Sequence, residues 1–262
     1  MINSWMGIIL GIGGIILGQL LEGGEMKQLL QPTAALIVFG GTLGATMLST
    51  SMGDFSMAIR YLPKVFLGGN HDLTPMVKEI VSIATVARRE GILALERFVN
   101  EIKNPFFSNN LRHIIDGYDA TVMEHMMEER IAKEEEQRAG IAKVWETAGG
   151  FSPTIGIIGA VLGLIHVMAN LSDSSKLGSG IAVAFVATVY GVGAANLFLL
   201  PVGNKLKKIG KEEMVEMELI YTGLVGMQNG LNPRVIEDRL MNLLGQYSTG
   251  GPEGGAAEKK AA

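Results

Sequence analysis

The sequence predicts an all-α, polytopic membrane protein with four transmembrane helices and a helical cytoplasmic region. Three observations carry this expectation. The stretches 2–21, 33–53, 150–171 and 180–203 are apolar and contain no Asp, Glu, Lys or Arg. Each reaches the roughly 20 residues that a helix needs to cross the hydrocarbon core of a bilayer. Hydrophobic residues make up 48% of the 262 positions although 18% are charged, so the two kinds are segregated along the chain, with a mean hydropathy of +0.30. No segment shows the two-residue alternation of a half-buried strand.

Taken in order, the first apolar stretch has no Lys or Arg ahead of it and no small-residue cleavage site, so it reads as a retained span and not as a signal peptide. Orientation follows from the basic residues beside the spans. The connection 22–32 carries only Lys27 and 172–179 only Lys176, whereas 54–149 carries twelve Lys and Arg and the segment after span four opens with Lys205, Lys207, Lys208 and Lys211. The expected organisation is therefore 1–53 with spans one and two and a short periplasmic loop, then 54–149 as a cytoplasmic helical domain. Spans three and four with a second short periplasmic loop occupy 150–204, cytoplasmic C-terminal helices occupy 205–247, and 248–262 form a disordered tail. Both termini are expected in the cytoplasm.

Within the soluble part, Thr74-Pro75 starts a helix, because Pro loses nothing in the first turn. Gly91 is a break and Asn104-Pro105 a stop and restart. Asp119 caps a long charged helix that feeds directly into span three, with Glu129–Lys133 and Glu134–Arg138 at the favourable i,i+4 spacing. Asn232-Pro233 starts the last helix. The end, "STGGPEGGAAEKKAA", offers nothing to bury.

Composition also excludes functions. A net charge of −4 gives no nucleic-acid surface, and the absence of cysteine removes disulfides, thiolate nucleophiles and thiolate-bound metals. The four histidines (71, 113, 125, 166) are scattered, and there is no nucleophile–base arrangement, phosphate loop or metal-ligand spacing. The chain reads as a non-enzyme without a cofactor.

Small residues form helical stripes: Gly7, Gly11, Gly14 and Gly18 in span one, Gly40 and Gly44 in span two, Gly156, Gly159, Ala160 and Gly163 in span three, and Gly180, Ala184, Ala187, Gly191 and Ala195 in span four. Such stripes let helix backbones approach closely in lipid. Packing within one chain explains them, and so does a subunit interface; four smooth faces exceed what four helices can use on one another, which favours oligomerisation. The spans supply Thr188, Tyr190, Asn196 and His166 but no acid. An ion pathway usually needs an ionisable group in the membrane, so a carrier carboxylate must come from another polypeptide. His166 reads as a packed or interfacial side chain, with a proton relay as the alternative. Ser152-Pro153 reads either as a cap and first turn of span three or as a hinge. Pro201, if span four continues into the tail, frees the carbonyl of Leu197 and kinks the helix.

The blocks "LIVFGGT" (36–42), "ARREGILALE" (87–96), "DGYD" (116–119), "SPTIGIIGAVLGL" (152–164), "AVAFVATVYG" (182–191), "FLLPVGNKL" (198–206) and "LNPRVIEDRL" (231–240) together resemble the flagellar motor stator A-subunit family, MotA/PomA, over nearly the whole chain. The resemblance implies an inner-membrane protein in which five A-subunits surround the helices of two MotB/PomB-type B-subunits. The B-subunit brings the ion-binding Asp and anchors to peptidoglycan, and the ring pushes on the rotor protein FliG. It implies rotor contacts at Arg88 and Glu96, with Arg89 and Glu90 as accessory charges, and coupling hinges at Pro153 and Pro201. It also implies an ion path along Thr188. Arg97 stands where some sodium-type relatives have an acid, and Ala160 where they have a second Thr. Sodium needs several oxygen ligands in place of its water shell, so the loss of a hydroxyl at Ala160 favours protons, with Na+ as the alternative. The nearest rival is a TolQ/ExbB-type energy-transducing subunit, which usually has three spans. A small-molecule transporter is disfavoured by the lack of a polar cluster near the midplane.

Overall fold

The computed structural model describes residues 2–68, 72–171 and 174–248. The expected tail falls almost entirely outside these residues, as does part of the loop between spans three and four. The described residues form helices joined by short loops, with no strand among them, and four helices are long and apolar enough to cross a membrane: Asn3–Leu21, Met26–Ser49, Ala120–Ala169 and Leu177–Gln228.

In chain order, α1 is Ile2–Leu21. The loop after it holds the short α2, Met26–Leu29. Span two begins at α3, Pro32–Ala35, widens into a π-helical turn at Leu36–Gly40 and continues as α4, Gly41–Ser49. The apolar stretch itself runs on to 53. The helix instead stops at Ser49, because the Ser51 hydroxyl accepts the Asp54 N–H and starts α5, Met52–Leu67.

Helix α6 is Thr74–Glu90, with Asp72 Oδ1 accepting the Thr74 N–H at 3.0 Å. The Asp72 carboxyl is held below its ordinary range by its hydrogen bonds from Thr74. Gly91 ends α6 with φ +87°, a conformation that favours glycine. A 3₁₀ turn at Ile92–Leu95 and α7, Glu96–Val99, follow. Asn104 caps α8, Pro105–Ile115, through Phe106 and Phe107 N–H, and Asp119 accepts the N–H of Thr121 and Val122 at the start of α9, Ala120–Ala169. Along α9, His125 pairs with Glu129 and Arg130 with Glu134. Helix α10, Ser174–Ala194, passes through a second π-helical turn at Ala195–Leu199 into α11, Leu200–Gln228. Asn232 Oδ1 accepts the Arg234 N–H at the start of α12, Pro233–Ser248.

The chain forms two compact units, Met1–Asn70 with Gln137–Ile209, and His71–Glu136 with Gly210–Ala262. The boundaries at 136/137 and 209/210 fall inside α9 and α11. In the first unit, Ile141, Val144, Val202 and Leu206 bury their side chains with Ala58 and Val65 of α5. A second cluster joins Ala34 and Val38 to Val186 and Ala187. Helix α1 contributes to neither cluster; its Ser4 hydroxyl donates to the Val65 carbonyl at 3.0 Å and Trp5 sits 5.0 Å from Phe66.

The second unit has the larger apolar core, with Ile80, Ile83, Leu95, Phe107, Leu219, Ile220 and Leu224 fully or almost fully buried. Gly223 lets α11 close on α6: a Cβ there would lie 2.3 Å from Ile80 Cγ2. At its edge Tyr247 donates to Glu218 Oε2 at 2.8 Å. Burial, then that hydrogen bond and the charges of Glu218 and Glu135, push the phenol up to about 12. A raised phenol stabilises the fold fully below the ordinary value near 10 and loses that contribution as pH rises to about 12. A phenolate absorbance titration of the wild type minus Tyr247→Phe is expected to show a component near 12; a component centred near 10 would refute the contact.

Candidate functional site

The residues singled out in the sequence fall into two groups, one in each unit. In the first unit, Pro153 lies inside the unbroken α9. The reading of Ser152-Pro153 as the cap and first turn of a new helix is therefore corrected. Ser152 is fully buried, and its Oγ donates across to the Gly191 carbonyl on α10 at 2.9 Å. It binds the neighbouring helix because α9 already runs on through this point.

That bond opens a seam of bare backbone between α9 and α10. A Cβ on Gly191 would lie 2.6 Å from the Ser152 carbonyl oxygen and 2.9 Å from Gly156 Cα. On Gly159 it would meet Ala187 Cβ at 2.7 Å, on Gly163 the Ala184 N at 2.7 Å, and on Gly180 a Val167 methyl at 2.7 Å. Real carbon atoms do not sit so close, so the two helices touch where only glycine fits. The stripes of spans three and four thus serve packing within the chain. Those of spans one and two barely do: Gly7, Gly14, Gly18, Gly40 and Gly44 have nothing within 4 Å of an added Cβ, and Gly11 meets only a Leu197 methyl.

Thr188 and Ala160 lie on this helix pair, and both are half-buried. Thr188 Cα is 3.5 Å from the point where a Gly156 Cβ would stand, and its Oγ1 makes only a long bond, 3.4 Å, to the Ala184 carbonyl one turn back. That hydroxyl retains capacity for another partner. His166 is exposed, and its backbone carbonyl accepts from Asn170.

Pro201 is the second residue of α11, directly after the π-helical turn. Just below the seam, a Cβ on Gly149 would lie 2.5 Å from Leu200 Cδ2, and Trp145 meets Phe198 edge-on at 5.9 Å. The two prolines thus flank one tight crossing of α9 with α11. Pro153 lacks the N–H that Gly149 O would accept, and Pro201 the one for Leu197 O.

In the sequence Tyr190 stands out only as a polar residue of span four. Its hydroxyl donates to the Leu29 carbonyl and accepts the Gln31 N–H at 3.3 Å, and its ring stacks on Phe39 at 5.8 Å. Leu30 and Gln31 are extended, so the break before span two would otherwise strand these backbone groups. No local signal marks this partnership, because Tyr190 lies about 160 positions away along the chain.

In the second unit, Arg88, Arg89, Glu90 and Glu96 are all exposed at the end of α6 and the start of α7. Arg88 Nη1 donates to the Gly230 carbonyl at 2.9 Å, fixing α6 to the turn between α11 and α12. Gly230 has φ +67°. Arg97, which the sequence marks only as a departure from sodium-type relatives, pairs with Glu90 at 3.1 Å across the Gly91 turn. Between the end of α6 and the Gly230 turn lies a cavity of about 490 Å³. Among the described residues no group of His, Asp and Glu is arranged to hold a metal ion.

Comparison with known proteins finds relatives over more than nine-tenths of the chain. Residues 5–91 match the profile "Motility protein A N-terminal", and residues 98–219 match the "MotA/TolQ/ExbB proton channel family". Motility protein A of Helicobacter pylori is 35% identical over 243 residues, 93% of this chain and 95% of that one. Chemotaxis protein PomA of Vibrio alginolyticus is 32% identical over 241 residues, 92% of this chain and 94% of that one. The solved MotAB structure of C. jejuni superposes with a TM-score of 0.86 at 33% identity, covering 92% of this chain and 94% of that one. The flagellar MotAB stator complex of Bacillus subtilis gives 0.84 at 31%, covering 95% and 98%. An all-α chain with four membrane-length helices, aligned with motility protein A from its first span into its last helices, belongs to the MotA/PomA branch of the MotA/TolQ/ExbB proton channel family.

Proposed function

We propose that this chain is the A-subunit of a flagellar motor stator, forming with a B-subunit an ion channel that converts ion flow into torque for motility. The observation that carries the reading is the glycine seam of α9 and α10 in a membrane region without a single carboxylate. The chain builds a smooth-walled, hinged conduit and lacks the titrating group, which a MotB/PomB-type partner supplies as an Asp. The N-terminal match to motility protein A favours this reading over a TolQ/ExbB-type role.

In this reading the four helices sit in the bacterial inner membrane with both termini in the cytoplasm. Five copies surround two B-subunits. Residues 54–149 and 205–247 form the cytoplasmic part, and the exposed charges Arg88, Arg89, Glu90 and Glu96 face FliG. The Thr188 hydroxyl lines the ion path, and Ala160 leaves it one oxygen poorer than a sodium site needs, so the ion is a proton. A proton crossing ~100 mV releases about 2.3 kcal/mol, enough to shift a two-state equilibrium about fiftyfold. Pro153 and Pro201 are where that shift bends α9 and α11.

The test is co-expression with the B-subunit in cells lacking their own stator. Swimming is expected to return, to survive removal of sodium and to stop with a protonophore. Charge reversal at Arg88 or Glu96 is expected to lower torque at least about tenfold, because it sets like charges against each other at the contact, with the protein still in the membrane. Full torque in both reversal variants would refute the rotor assignment, and loss of swimming without sodium would refute the proton.

A further inference from the structure

We propose that the cavity beside Arg88 is a socket for one apolar side chain on a helix of the rotor protein, with a carboxylate one turn away from that side chain. The inference rests on the stator reading and deepens it: the rotor contact has an apolar anchor and is not made by surface charges alone.

The socket is built from two helix ends. Helix α6 stops at Gly91 and α11 turns at Gly230, both with positive φ, and the Arg88–Gly230 bond of 2.9 Å ties one end to the other. Ala84, Ala87, Met227 and Leu231 line the space with apolar surface. Leu93 also lines it, and although a large apolar side chain it is 76% exposed. Its volume of about 490 Å³ admits a branched or aromatic side chain with room to spare.

Charge chooses the occupant. Glu90, which also lines the space, is matched by Arg97 at 3.1 Å, whereas Arg88 donates to a neutral carbonyl and Arg89 is exposed beside it, so even with Glu96 counted the exposed charges here sum to one positive. The rim is therefore cationic. An apolar anchor inside and a carboxylate at the rim, three or four residues apart, is the pattern a single helix presents on one face. Buried apolar anchors ringed by polar contacts carry most of the energy of such interfaces, while exposed ion pairs contribute little.

The experiment uses the full chain with its B-subunit in stator-deleted cells and measures stall torque and the number of stators recruited to each motor. Ala87→Trp fills the socket and is expected to lower torque at least about tenfold. Leu93→Ser removes the lip without touching the core and is expected to lower it about threefold or more. If both keep full torque while Arg88→Glu loses it, the socket is overturned and the stator reading stands. If Arg88→Glu and Glu96→Lys also keep full torque, the rotor assignment itself fails and the socket with it. Should Ala87→Trp fail to reach the membrane, Leu93→Ser decides.

Discussion

Gly191→Ala is expected to force α9 and α10 apart and to abolish motility. The added methyl meets backbone, 2.6 Å from the Ser152 carbonyl oxygen and 2.9 Å from Gly156 Cα, and backbone cannot swing aside as a side-chain end can. Overpacking typically costs about 1–3 kcal/mol, and a rigid obstacle places this change at the upper end. The intrinsic gain from replacing a helical glycine by alanine is about 1 kcal/mol, so the net sign is destabilising. The same movement stretches the Ser152–Gly191 hydrogen bond beyond 2.9 Å. Gly193→Ala is the contrast within the same helix, because nothing lies within 4 Å of its Cβ. Thermal unfolding of the two variants in detergent reads the difference. Equal midpoints would show that the seam is not where these helices are held.

Pro201→Ala is expected to shift stability the other way and still impair motility: a more stable helix and a failing motor. Alanine restores an N–H that bonds back toward the Leu197 carbonyl and relieves the clash that proline imposes on the preceding turn. Interior proline costs up to about 3 kcal/mol against alanine. Some of that is already relieved by the π-helical turn at Ala195–Leu199, so a stability gain of about 1 kcal/mol is expected. Torque is expected to fall at least about tenfold if bending here carries the stroke, with the protein at its normal level in the membrane. Stability measured on the assembled complex and torque measured in the cell separate the two effects. A variant that gains stability and keeps its torque would remove Pro201 from the mechanism.

What could be read from the sequence was local. Asn104, Asp119 and Asn232 bind N–H groups two or three residues ahead, so their cap signals lie within a few positions. Gly91 ends α6 because only its own backbone decides the turn. The true end of span two also had a local mark, the Ser51–Asp54 pair, but the apolar run past it hid the break. Ser152 and Pro153 spell the same cap whether or not a helix already precedes them, and the deciding partner, Gly191, lies 39 residues on. The glycine stripes of spans one and four look alike in sequence, yet Gly7, Gly14 and Gly18 face open space while Gly180 and Gly191 touch a neighbouring helix. Periodicity gives a face; only tertiary contact says whether that face is used. At the second site, Arg97 reaches Glu90 over the Gly91 turn and Arg88 reaches a carbonyl 142 residues away, so neither partner could be found by spacing.

The π-helical turns at Leu36–Gly40 and Ala195–Leu199 have a consequence for how this chain can vary in length. Each widened turn houses one residue more than a regular α-helix would. Removing a single residue there lets the backbone relax to the ordinary pitch while the rest of the helix keeps its facing. The same deletion elsewhere in these spans rotates everything beyond it by about 100°, turning inward faces toward lipid. Insertions and deletions that a lineage can survive should therefore gather at these two points and be absent from the membrane helices between them.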